Sequence, residues 1–149
     1  MALTRVRATK NLPLNHYEAE QAIDAAADRV RSRFATPNMH QIYSDKRNEA
    51  ERYMTAWATG EKPDLSDYPY LAGETGVTLE TPEQLAQLWL YMDSQWKQVA
   101  AIIEQIRVGS KAQVRAAGST GEIDQIVVQA TSTLDQIGER PPERPPQKQ

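Results

Sequence analysis

Hydrophobic residues along the chain recur at three- and four-residue steps in four separate stretches, the spacing that gathers them on one face of an α-helix. The first stripe is Ala19, Ile23, Ala26, Val30 and Phe34, with Ala22 and Ala27 alongside. Asn15 stands before it and Glu18 three residues on, a variant of the capping box, so the pattern predicts a helix over 15–34. Its alanines let another helix approach closely, and Arg29, Arg31 and Arg33 suit the negative end of the helix dipole. Thr36-Pro37-Asn38 ends this helix and opens a second over 37–59, which carries Met39, Ile42, Tyr43, Ala50, Tyr53, Met54 and Trp57 up to Gly60. So short a connection predicts an antiparallel hairpin.

Thr81-Pro82-Glu83-Gln84 combines an N-cap, a proline at the first helical position and a glutamine in the capping-box place. It opens a third helix over 82–117 with Leu85, Leu88, Trp89, Met92, Trp96, Val99, Ile102, Ile103, Ile106 and Val114 on its stripe, and a bend is expected at Gly109 and Ser110. At ~1.5 Å per residue it exceeds about 40 Å, long enough to act as a spine. Ser119-Thr120-Gly121-Glu122 starts a fourth helix over 119–137, which buries Ile123, Ile126, Val127, Ala130, Leu134 and Ile137 before Gly138. Between the second and third helices, residues 60–81 read as an ordered loop, because Leu65, Tyr68, Tyr70, Leu71, Val77 and Leu79 need burial. Tyr68 and Tyr70 either face a partner or pack against the long helix. The fold class is therefore all-α: the hairpin of helices 1 and 2 packed on the long third and shorter fourth helix, in one domain over 15–138.

Both ends depart from the helical pattern. Residues 1–14 alternate, Leu3, Arg5 and Arg7 on one parity and Val6 on the other, as an extended arm able to add to another protein's edge. Residues 139–149, ERPPERPPQKQ, read as polyproline-like, with Pro142 and Pro145 spaced for an aromatic groove and Arg140 and Arg144 beside them. Leu3, Arg5, Val6, Arg7, Tyr68, Tyr70, Arg140, Pro142, Arg144 and Pro145 are thus the candidate partner-binding residues.

Composition narrows the function. A 149-residue chain can bury a real core, yet 40% hydrophobic content, a mean hydropathy of −0.66 and one Phe against six Tyr and three Trp favour an elongated helical body over a thick globule. A net charge of −3 offers phosphate no general attraction, and no basic stripe suggests nucleic acid. Charge is uneven: Arg5, Arg7 and Lys10 precede any acid, whereas 61–83 holds six acids and one lysine, a distribution suited to docking or self-assembly. Without cysteine there is neither disulfide nor thiolate metal site. No apolar run approaches the ~20 residues needed to span a bilayer, and no signal-peptide core opens the chain.

Candidate chemistry is sparse. His16 and His40 lack a second ligand at helical spacing, so neither metal nor cofactor is expected. Glu18, Asp24, Asp28, Glu49, Glu51, Asp93, Glu104 and Asp124 fall mostly outside the stripes, where solvation keeps carboxylates ordinary. Neither a phosphate loop nor a nucleophile elbow is present. Tyr43, Tyr53, Trp57, Trp89, Tyr91 and Trp96 read as helix contacts and not as stacking platforms.

In chain order, Gln41, Tyr43, Lys46, Glu49, Ala50 and Tyr53, then Tyr68-Pro69-Tyr70-Leu71, the TPEQLAQLW entry, Trp96 and STGEIDQIV resemble a helical domain of structural and tail-associated proteins of tailed bacteriophages, across roughly 19–128. The resemblance implies a non-enzymatic virion component made in the host cytoplasm, present in multiple copies and bound to tail, baseplate or fibre proteins as an adaptor or decorating subunit. It carries no catalytic residues over; the matched positions serve helix packing and helix starts. The competing expectations are an assembly chaperone left out of the particle and, distantly, an enzyme built on scattered acids such as Asp93 and Glu104.

Overall fold

Caps written in the sequence set the helix starts. Asn15 Oδ1 accepts from the Glu18 amide at 2.7 Å while Asn15 Nδ2 donates back to Glu18 Oε1 at 3.1 Å, and α1 runs His16–Phe34. Thr81 Oγ1 accepts from the Gln84 amide at 3.2 Å, opening the long helix Pro82–Ala116. Ser119 Oγ accepts from the Glu122 amide at 3.2 Å, and the Glu122 carboxylate reaches back to the Gly118 amide at 3.1 Å; the helix that follows is Thr120–Gly138. These starts are satisfied by their own neighbours, as helix ends require.

This computed structural model describes residues 14–34 and 40–139. The arm, the tail and the Thr36-Pro37-Asn38 connection lie outside the described residues, except Leu14 and Glu139 at their inner ends. Five α-helices make up the described chain: α1, α2 (His40–Ala58), α3 (Pro69–Glu74), α4 (Pro82–Ala116) and α5 (Thr120–Gly138). The protein is all-α, and the only β pairing among the described residues is an isolated bridge between Thr75 and Leu79. Two expectations need correction. The 60–81 segment is not simply loop, since a 3-10 turn over Leu65–Asp67 leads into α3; Gly109 and Ser110 do not interrupt α4, which is one α-helix.

The described residues divide into two compact units, 14–33 with 100–139, and 34 with 40–99, so α4 contributes one half to each. In the first, Ala19, Ile23, Val114, Ile123, Val127 and Ala130 form the core, with Ile106 and Ile126 packed on it. Glu20 meets Arg115, Asp24 meets Arg107 and Lys111, and Arg31 meets Glu104, so α1 runs antiparallel to this half of α4. Leu14 beside Asp124 and Arg29 beside Asp135 make it parallel to α5. Ile23, Val30, Ile103 and Leu134 are fully or almost fully buried, each stabilising by about 1.5–3 kcal/mol relative to exposure.

The second unit packs Ala50 and Tyr53 of α2, Tyr68 and Leu71 of the 60–81 segment, and Leu85 and Ala86 of α4, with Met54, Leu65, Leu79, Trp89 and Leu90 around them. Gly60 ends α2 at φ +88° and Gly76 turns the chain at φ +86°, where a side chain would strain the backbone.

Candidate functional site

In the second unit a cluster of polar and aromatic side chains gathers along one line of α2. Asp45, Lys46, Glu49, Arg52 and Tyr53 are spaced to share a face, and each touches the segment that carries Tyr68-Pro69-Tyr70-Leu71 or the start of α4. Glu49 is only 3% exposed, and its Oε1 accepts from the Leu71 amide at 2.7 Å. Leu71 is the third residue of α3, whose own N-cap, Tyr68, makes no side-chain cap hydrogen bond. The carboxylate of one helix thereby caps another. Lys46 Nζ pairs with Glu74 Oε2 at 2.8 Å and lies 5.0 Å above the Trp89 ring, so one ammonium serves both ends of the arrangement. The Tyr70 hydroxyl lies 3.4 Å from Asp45 Oδ2, a long hydrogen bond.

Tyr53 is the centre. It is fully buried, meets Tyr68 edge-on with ring centroids 5.1 Å apart and stacks with Trp57 at 6.4 Å. Its hydroxyl donates to Glu83 Oε1 at 2.8 Å. Burial, reinforced by the neighbouring Glu83 carboxylate, pushes the Tyr53 hydroxyl well above the ordinary phenol range, so it stays a donor at any physiological pH. Burial by itself would raise Glu83, but hydrogen bonds from Tyr53, its own backbone amide and Thr81, with the charge of Lys62, together outweigh it and the carboxyl titrates below its usual value. A protonated phenol on an ionised carboxylate anchors two helices.

The first unit carries a ladder of charge between α1 and α4. Arg107 donates to Asp24 at 3.0 Å and to both Glu104 oxygens, Lys111 reaches Asp24 at 2.9 Å, and Arg31 also holds Glu104. Hydrogen bonds from Arg107, with Arg31 adding to them, lower the Glu104 carboxyl to about 2. Partial burial opposes the shift at Asp24, yet Lys111 and Arg107 together hold it below its ordinary value.

These contacts correct the expectation for three carboxylates. Glu49 is buried, not solvated, and Asp24 and Glu104 do not titrate as free carboxylates. Tyr68, expected as one alternative to face a partner, is buried at 8% exposure; Arg52 lies 5.2 Å above its ring. Tyr70 is half-buried beside Asp45. Leu3, Arg5, Val6, Arg7, Arg140, Pro142, Arg144 and Pro145 lie outside the described residues. A signal for Glu49 existed in its place, one turn before Tyr53 and beside Ala50 on the buried line. For Asp24 and Glu104 none existed locally, because their partners stand on a different helix.

Among the described residues no three His, Cys, Asp or Glu side chains converge as metal ligands, and no helix is long and apolar enough to cross a membrane. Two open troughs mark the surface. One of about 560 Å³ follows Asn48, Arg52 and Thr55 on α2 to Thr59 just past its end. The other, about 520 Å³, runs between α4 and α5 past Ile106, Gly109, Gln113, Ile126 and Gln129. No protein-family model, curated protein or solved structure matches the chain.

Proposed function

We propose that this chain is a non-enzymatic structural subunit of a tailed-phage particle, acting as an adaptor or decorating protein in the tail, baseplate or fibre-attachment region. One observation carries the reading. Two of the stretches that carry the resemblance to phage structural proteins, Gln41–Tyr53 and Tyr68–Leu71, meet each other, and Lys46, Glu49 and Tyr53 hold the 65–74 segment and α4 in place. Side chains of the kind that could bind or transform a ligand are engaged in holding helices together, which suits a protein that works through its outer surfaces. The arm residues Leu3, Arg5, Val6 and Arg7 and the tail residues Arg140, Pro142, Arg144 and Pro145 are proposed to contact neighbouring subunits, ordering on binding at the expense of part of the interface energy.

Of the finer helix arrangement expected, the described contacts support pairing of α1 with the second half of α4 and of α2 with its first half. The direct α1–α2 hairpin is a separate proposal, tested by paired cysteines in a chain that has none.

Fractionation of an infected lysate tests the function. The protein is expected to sediment with finished particles. Recovery only in soluble complexes with unassembled tail or fibre proteins would replace the adaptor reading with an assembly chaperone, and recovery with neither would reject both.

A further inference from the structure

Between residues 100 and 116, α4 contains four charged residues, Glu104, Arg107, Lys111 and Arg115, and every one is paired with α1. The opposite side of the helix has no charge. Ala101, Ile102, Gln105, Val108, Gly109, Ala112, Gln113 and Ala116 are all exposed, Ile102 at 47% and Val108 at 52%. The adjoining face of α5 continues it with Gln125, Val128, Gln129, Ser132 and Thr133, Val128 being 67% exposed, and carries one charge, the exposed Glu122 near its start. An outward helix face in a chain that is 25% charged normally carries its share of charge, whereas depletion of charge with retained apolar side chains marks the centre of an interface.

We infer that this face is a two-fold contact between two copies of the chain, with their α4 helices antiparallel and crossing at Gly109. The residues themselves select that occupant. In a two-fold contact residue i meets j and j meets i, and an axis through Gly109 places Ile102 level with Ala116 of the second copy and Gln105 level with Gln113. At these positions a large apolar side chain meets a small one, and an amide meets an amide that can both donate and accept. At the axis, a Cβ added to Gly109 would meet nothing within 4 Å among the described residues. A mid-helix glycine costs about 1 kcal/mol against alanine, and no contact among the described residues accounts for it, whereas close approach of a second helix would. Charge agrees as well: two copies of a chain of net charge −3 repel on average, and the charge-free side of α4 lets them meet there without placing like charges together.

Area sets the strength. Seventeen positions of α4, 100–116, at ~1.5 Å rise and two helices about 10 Å wide give a face of roughly 500 Å² in projection, below the ~800 Å² per partner of a standard interface. The contact is therefore of the weak, transient kind, sought at micromolar to millimolar protein. It does not depend on the virion assignment, because purified protein alone displays it.

Sedimentation equilibrium of the full chain across that concentration range tests the inference. The expected result is a monomer–dimer equilibrium that Gly109→Arg weakens at least tenfold while helical circular dichroism is retained, since the added side chain has open space. A mixture of Gln105→Cys and Gln113→Cys proteins is expected to give several-fold more disulfide-linked dimer under mild oxidation than either alone. A chain that stays monomeric throughout, a dimer unchanged by Gly109→Arg, or cross-linking without the 105–113 preference would each overturn it.

Discussion

At the scale of single residues, Glu49 and Glu104 show what the charged side chains are for. Glu49 satisfies an amide at the start of α3 that nothing local reaches. Glu49→Ala leaves that buried N–H unpaired and is expected to cost about 1–3 kcal/mol, read as a shift in the urea midpoint. Glu49→Gln keeps an acceptor and is expected to cost less; equal losses would mean that packing and not the cap sets the penalty. Glu104 makes a prediction in pH. Its carboxyl falls from 4.5 to about 2 on folding, so between these values the unfolded chain binds more protons and stability rises with pH. The contribution is present above pH 4.5 and lost as pH falls towards 2, with Asp24, also lowered, acting in the same direction. Thermal melting across that window is expected to slope less steeply for Glu104→Gln, and added salt should flatten both curves because the pair is exposed to solvent.

At the scale of elements, helix starts depend on contacts three residues long, and for that reason Asn15, Thr81 and Ser119 were legible from the sequence. The same locality explains α3. Its six residues have no cap of their own, and the group that supplies one is 22 positions away on α2, so the 60–81 stretch reads as loop until the fold brings Glu49 over. The charge ladder was hidden for the same cause, since Asp24 and Lys111 become neighbours only when α1 lies along α4. Tyr68 could be read as partner-facing because an aromatic in a proline-flanked stretch looks exposed until Tyr53 and Arg52 are placed on it. Glycines divide by backbone angle. Gly76→Ala at φ +86° is expected to destabilise by about 1 kcal/mol or more. Gly109→Ala, in regular helix, is expected to stabilise the dilute monomer by up to about 1 kcal/mol; opposite signs in chemical denaturation check the pair.

At the scale of the whole molecule, α4 supplies a wall to both cores, Leu85 to one and Ile103 to the other. Trp57, Trp89 and Trp96 all belong to the second unit, so tryptophan fluorescence reports on that unit alone. Ile103→Ala, in the first, is expected to cost 2–5 kcal/mol and to lower the fluorescence-detected midpoint as far as the one seen by circular dichroism; separated midpoints would show that the two units unfold independently. The larger claim is that these side chains hold helices so that outer surfaces can hold neighbours in a phage particle. Quantitative mass spectrometry of gradient-purified particles tests it most directly. The account predicts the chain at a fixed ratio to the tail proteins, with more than one copy per particle, and its absence from finished particles would contradict the account.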